Sequence, residues 1–104
     1  MEPDSNSVFT VEDQLILITS DREGVIMVNN PPGYTLATGR PSIMIPTGGT
    51  EALLEVCKRY EVKYLVLNGE RTDVISLFNN DSRLKENYDL MFEEAGNSVY
   101  EFKP

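Results

Sequence analysis

Short continuous apolar runs, spaced by turn residues and one long amphipathic stretch, set the pattern of this chain. Val25-Ile-Met-Val28 and Ile43-Met-Ile45 are unbroken apolar runs bounded by Gly, Pro and Asn, as in strands covered on both faces. Between them runs a stretch of turn residues, Asn29-Asn-Pro-Pro-Gly-Tyr34 among them, which reads as an irregular loop. Thr47-Gly-Gly-Thr50 leads into a helix over residues 51–60, where Leu53, Leu54, Cys57 and Tyr60 share one apolar face. Glu51 in its first turn and Lys58 and Arg59 in its last complement the helix dipole. Residues 62–67 predict a third strand. Thr72-Asp73 caps a further segment with Val74, Leu77 and Phe78 on one face, and Asn79-Asn-Asp-Ser82 interrupts it.

The two ends are read differently. Residues 1–9 are polar and read as a mobile tail, so the single domain covers residues 10–104. Thr10-Val-Glu-Asp13 is close to a capping box and opens a short helix over 11–19, although Leu15, Ile16 and Ile18 also fit a strand. At the other end Tyr88, Leu90 and Phe92 alternate onto one side. A turn at Glu94-Ala-Gly-Asn97 comes next, then Val99 and Phe102 flanking Tyr100, which predicts an antiparallel hairpin. The expected fold is α/β: a small mixed, mostly parallel sheet of about five strands with helices on its faces. Strand order 2-1-3, with the hairpin beyond strand three, follows from right-handed crossovers.

Charge and composition narrow the chemistry. The 104 residues suit one domain, which at that size buries about 65% of the surface its unfolded chain exposes. A formal charge of −8 repels phosphate backbones, so nucleic acid is not an expected partner. No apolar run approaches the roughly 20 residues that span a bilayer, and the polar start has no signal-peptide pattern, so this piece is expected to be soluble. A single cysteine excludes an internal disulfide, and the absence of histidine removes the usual general base and the commonest zinc ligand. Neither a metal nor a cofactor is expected.

Several segments together resemble the C-terminal soluble region of polytopic membrane glycosyltransferases of the protein O-mannosyltransferase and aminoarabinose transferase type, which use polyprenyl-phosphate sugar donors. They are Val25-Ile-Met-Val-Asn-Asn-Pro-Pro-Gly-Tyr34, Thr38-Gly-Arg-Pro-Ser-Ile-Met-Ile-Pro46, Leu54-Glu-Val-Cys-Lys-Arg-Tyr60, Val62-Lys-Tyr-Leu-Val-Leu67 and Val99-Tyr-Glu-Phe102. The resemblance covers residues 25–102. It implies an α/β domain on the extracytoplasmic face of the cytoplasmic membrane, preceded in the same polypeptide by a transmembrane bundle, with Met1 a boundary inside a longer chain. The family's catalytic acids, commonly an Asp-Glu pair, lie in a loop near the start of the membrane region. Glu12-Asp13 has the other order and another place, so no catalytic residue transfers, and this chain alone is expected to do no chemistry.

The candidate site is the loop after strand one, because open α/β sheets bind ligands beyond strand C-termini. Asn29, Asn30, Tyr34 and Arg40 are expected to line a shallow groove for a polyprenyl-phosphate sugar or its acceptor. The same residues also suit a plain change of direction. Thr47, Gly48, Gly49 and Thr50 place free backbone N–H groups at a helix start, where an anion could sit. They lack a Walker lysine, Glu51 opposes an anion, and ordinary capping fits as well. Cys57, on an apolar face, and Tyr60, Tyr64, Tyr88 and Tyr100 read as core or edge, and Glu93-Glu94 as solvated surface. The leading expectation is a noncatalytic accessory domain of a membrane glycosyltransferase, shaping the acceptor entrance or stabilising the membrane part. The alternative is a free-standing α/β protein that binds a nucleotide or phosphorylated metabolite. A receiver domain is excluded, since strand one ends in Asn29-Asn30 and strand three in Asn68-Gly69, where acids would be required.

Overall fold

Residues 5–94 and 96–103 are described by a computed structural model, with side chains described from residue 10 onward. Residues 1–4 of the expected tail lie outside the described residues, and helix α1, Ser5–Thr19, begins within the remainder. The helical reading of this segment therefore holds over the strand reading. β1 (Val25–Val28), β2 (Ser42–Met44) and β3 (Val62–Leu67) stand at the expected places. They are joined through α2 (Pro31–Thr38) and α3 (Gly49–Arg59). After them come α4 (Thr72–Asn80), α5 (Ser82–Asn87), β4 (Tyr88–Glu94) and β5 (Asn97–Phe102).

The sheet order is β2-β1-β3-β5-β4. β1 pairs in parallel with β2 and β3, whereas β3–β5 and β5–β4 are antiparallel. The fold is thus α/β with the expected 2-1-3 order and a C-terminal hairpin. The sheet is parallel in one half only, because β5 rather than β4 docks on β3. Side chains of β1 and β3 alternate between two cores. Met27, Leu65 and Leu67 join Leu53, Cys57, Val74, Phe78 and Leu84 beneath α3, α4 and α5. Ile26, Val28, Tyr64 and Val66 join Val11, Leu15 and Tyr34 beneath α1 and α2.

Three departures have local causes. The stretch expected as a loop holds α2: Asn30 is its N-cap, its side chain accepting from Gly33 N at 3.4 Å, and Pro31 stands in the first turn. Proline there loses no hydrogen bond, since the first N–H groups of a helix have no partner in the helix. In the hairpin, a bulge between Leu90 and Phe92 shifts the register. An inserted residue re-aims the side chains beyond it, so Tyr88 lies in the α3–α5 core while Met91 and Phe92 pack on the α1–α2 core. Leu90 is left 53% exposed at the sheet edge. Tyr60 closes α3 as its C-cap and is also 53% exposed, so it drops out of the face that Leu53 and Cys57 bury.

Candidate functional site

Two polar clusters stand out, one buried under α1 and one at the open ends of the strands. The first begins with the C-terminus of α2. Gly39 adopts φ 79° and its N–H caps Thr35 O at 2.7 Å, while Thr38 Oγ1 donates to Tyr34 O and accepts from Arg40 N. A left-handed residue at this place turns the chain back toward the helix it has just left. The next side chain, Arg40, is thereby aimed inward and is wholly buried.

Its guanidinium finds a full set of acceptors. Arg40 Nε lies 2.9 and 3.0 Å from the two carboxylate oxygens of Glu12, Nη1 donates to Gly24 O at 2.9 Å, and Nη2 donates to Asp21 O at 2.5 Å. The Tyr34 hydroxyl donates to Glu12 Oε1 at 2.7 Å. Burial and that bond to Glu12 push the Tyr34 pKa far up, so it stays a neutral donor. The Arg40 guanidinium lies 5.6 Å from the Tyr64 ring centroid, within cation–π range. Tyr64 Oη in turn donates to Asp21 Oδ2 at 2.8 Å. Gly24 is required where this turn closes: a Cβ there would stand 2.6 Å from Asp21 Oδ2 and 3.0 Å from Tyr64 Cε2.

Asp21 also accepts from the backbone N–H groups of Glu23 and Gly24. Desolvation raises its pKa, but those bonds, the Tyr64 hydroxyl and Lys63 together outweigh it and hold the carboxyl below its usual value. A depressed folded-state pKa gives stability that is full above the unfolded value of about 4 and fades as pH falls through the folded one. Acid titration of the wild type therefore shows a component of unfolding below about pH 4 that Asp21→Asn removes. An identical acid limb in both proteins would contradict this.

The second cluster occupies the C-terminal ends of the parallel strands. In a 2-1-3 order the chain leaves β1 and β3 on opposite sides, and the crevice between their ends is where such sheets take ligands. Asn29 directly succeeds β1, and its Nδ2 donates to Glu70 Oε1 at 2.7 Å across that crevice. Beside it Arg71 reaches back from α4 to Ile45 O and Pro46 O at 2.8 and 2.9 Å and pairs with Asp73 at 2.9 Å. The hydrogen bond from Arg71 to Asp73 raises the Arg71 pKa further. This cation is fully engaged by two carbonyls and a carboxylate.

The four residues expected to line one groove therefore separate. Tyr34 and Arg40 face inward to Glu12; Asn30 caps α2; Asn29 alone reaches the crevice. Thr47 to Thr50 do open α3, with Gly48 as its N-cap at φ 112° and Gly49 at φ 91°. Thr50 is buried, and its hydroxyl has no hydrogen bond within 3.5 Å among the described residues. Asp81 is close enough for that hydroxyl, after the Arg83 guanidinium, to help hold its carboxyl well below the usual range. With Asp81 and Glu51 both beside it, this helix start is a poor anion seat. Cys57 is buried with Sγ 2.7 Å from Tyr88 Oη, and burial pushes its thiol up to about 11. Iodoacetamide at about pH 7.5 should leave native Cys57 unmodified over hours and alkylate it fully in denaturant; rapid native alkylation would contradict its burial.

Sequence reading missed Glu12, Asp21, Glu70 and Arg71. One signal was present: Glu12 sits between Val11 and Leu15 on what becomes the buried face of α1, and a carboxylate there needs a cation. No known protein family matches this chain, and no curated protein matches it in sequence.

Proposed function

We propose that this domain is a noncatalytic accessory part of a membrane glycosyltransferase that uses a polyprenyl-phosphate sugar donor, held outside the cytoplasmic membrane by a transmembrane bundle of the same polypeptide. Its work is to brace the membrane part and border the acceptor entrance. The observation that carries this reading is the Glu12–Arg40 tie. It ties α1, the helix through which a preceding bundle would connect, to the turn before β1 and to the chain just after α2 with charged hydrogen bonds. Such a joint transmits orientation rather than chemistry. Among the described residues no helix is long and apolar enough to cross a membrane, so the bundle is a separate part of the proposed protein. α1 and α2 leave the large apolar side chains of Leu17, Ile18 and Leu36 exposed at 76%, 49% and 89%, which suits contact with that bundle.

The rival reading, a free-standing binder of nucleotides or phosphorylated metabolites, has less support. Arg71, the cation beside the strand ends, is already bonded, and Glu70 and Asp73 flank it. The test is Leu17→Lys with Leu36→Lys in the source organism. Thermal unfolding of the isolated chain should change by no more than about 0.5 kcal/mol, since both positions are exposed. Sugar transfer from a labelled polyprenyl-phosphate donor by membranes should fall several-fold; unchanged transfer would count against the reading.

A further inference from the structure

A cleft of about 250 Å³ opens between the end of β3, α4 and β5, floored by Leu67 and Phe78 and walled by Tyr100, Asn68, Asn79 and Ser98. Its size lies just under the range of about 300–1,000 Å³ that holds drug-sized ligands, so one small ring fits. Tyr100 is half-buried and its ring packs against Phe78, centroids 4.7 Å apart and planes tilted by 34°, which fixes the wall. Among the described residues, the Asn68 side chain makes one bond, accepting from Glu70 N at 2.8 Å, which leaves its NH₂ to donate. Asn79 is exposed at the mouth and offers both a donor and an acceptor. A Cβ placed on Gly69 would meet nothing within 4 Å, so the space above the strand end is open.

Charge defines what fits there. Among the described residues no cation lines the cleft. Glu70 is next to Gly69 in the chain, and Glu93, bonded to Ser98 at 3.3 Å, is near enough to raise the Tyr100 pKa beside the effect of burial. The Glu93 carboxylate beside Ser98 and Tyr100, with no lining cation among the described residues to offset it, opposes a phosphate. An aromatic wall with amides and a hydroxyl, and without a cation, matches a neutral polyhydroxylated ring, whose C–H face lies on the aromatic and whose hydroxyls take the amides.

We propose that this cleft binds a single neutral sugar ring of an acceptor glycoside rather than the phosphate-linked sugar of a donor. The assignment of the sugar to the acceptor rests on the transferase reading; the binding itself does not. The experiment is a titration of the 104-residue chain, monitored by amide ¹H–¹⁵N spectra, with the methyl glycosides of glucose, galactose and mannose and with glucose 1-phosphate. At least one glycoside should give saturable shifts at Gly69, Asn79, Gly96 and Ser98, with a dissociation constant on the order of 1 mM. Glucose 1-phosphate should bind about tenfold more weakly or not at all. Asn79→Ala should weaken binding about tenfold by removing one hydrogen-bonding group. Gly69→Leu, which has room for its side chain, should abolish the shifts in a folded protein. Absence of saturation with all three glycosides overturns the site, as does binding untouched by Gly69→Leu or glucose 1-phosphate bound equally well. Cell fractionation separates the two ideas. A large membrane-bound species without glycoside shifts removes only the cleft, and a small soluble species with them removes only the transferase reading.

Discussion

Arg40→Ala is expected to lose about 3–5 kcal/mol of unfolding free energy, the cost of leaving a buried charge without its partner. Against the roughly 5–15 kcal/mol that holds a domain of this kind, that is about a fifth of the total or more. In thermal melts it corresponds to a fall on the order of 15–25 °C. The loss is large because three acceptor groups lose their donors together: the Glu12 carboxylate, Gly24 O and Asp21 O. Replacing both ends of the pair tests the cause. Glu12→Leu with Arg40→Met and Tyr34→Phe removes the buried charge and its hydroxyl partner, and should recover much of the loss. Recovery stays partial, since the two carbonyls remain without Arg40. A single-variant cost below about 1 kcal/mol would put the pair in the class of exposed ion pairs and contradict the tie.

Leu15→Ala is the second large effect, at about 2–5 kcal/mol. Leu15 is fully buried among Ile26, Val28 and Tyr64, so it supplies the apolar half of the joint whose polar half is Glu12. Native-state hydrogen exchange in this variant should show α1 amides losing protection first, with β1 and β3 opening only at the global limit. Because either change loosens the same helix, the double variant with Arg40→Ala should cost less than the two single costs added. Strict additivity would mean that α1 is not released as a unit.

The strands were plain in the sequence because continuous apolar runs between Gly, Pro and Asn have few other uses. The 2-1-3 order came from the handedness of crossovers. α3 was legible because Leu53 and Cys57 recur at helical spacing. α2 was not: in eight residues it buries Tyr34 alone, so no periodicity betrays it. The Asn30-Pro31-Pro32-Gly33 string that caps and opens it is made of the same residues as a turn. The bulge before Phe92 was hidden for a related reason, since strict alternation and alternation with one inserted residue look alike over so short a run.

The candidate site was half legible. Of the four residues expected beyond strand one, Asn29 lies at the C-terminal ends of β1 and β3, bonded to Glu70. Arg40 was expected to line the groove but faces inward, because its direction is decided by the αL turn at Gly39 and by Glu12, 28 residues away. Local sequence carries no record of such a partner. The charge on α1 and the charge after α2 make sense only as a pair.

The central claim is that this domain belongs to a larger membrane transferase. It is tested most directly by fractionating cells of the source organism and blotting with an antibody raised against the 104-residue chain. The account predicts a membrane-bound band several times heavier than 11.7 kDa, accessible to protease from outside the cytoplasmic membrane. A soluble band near 11.7 kDa would contradict it.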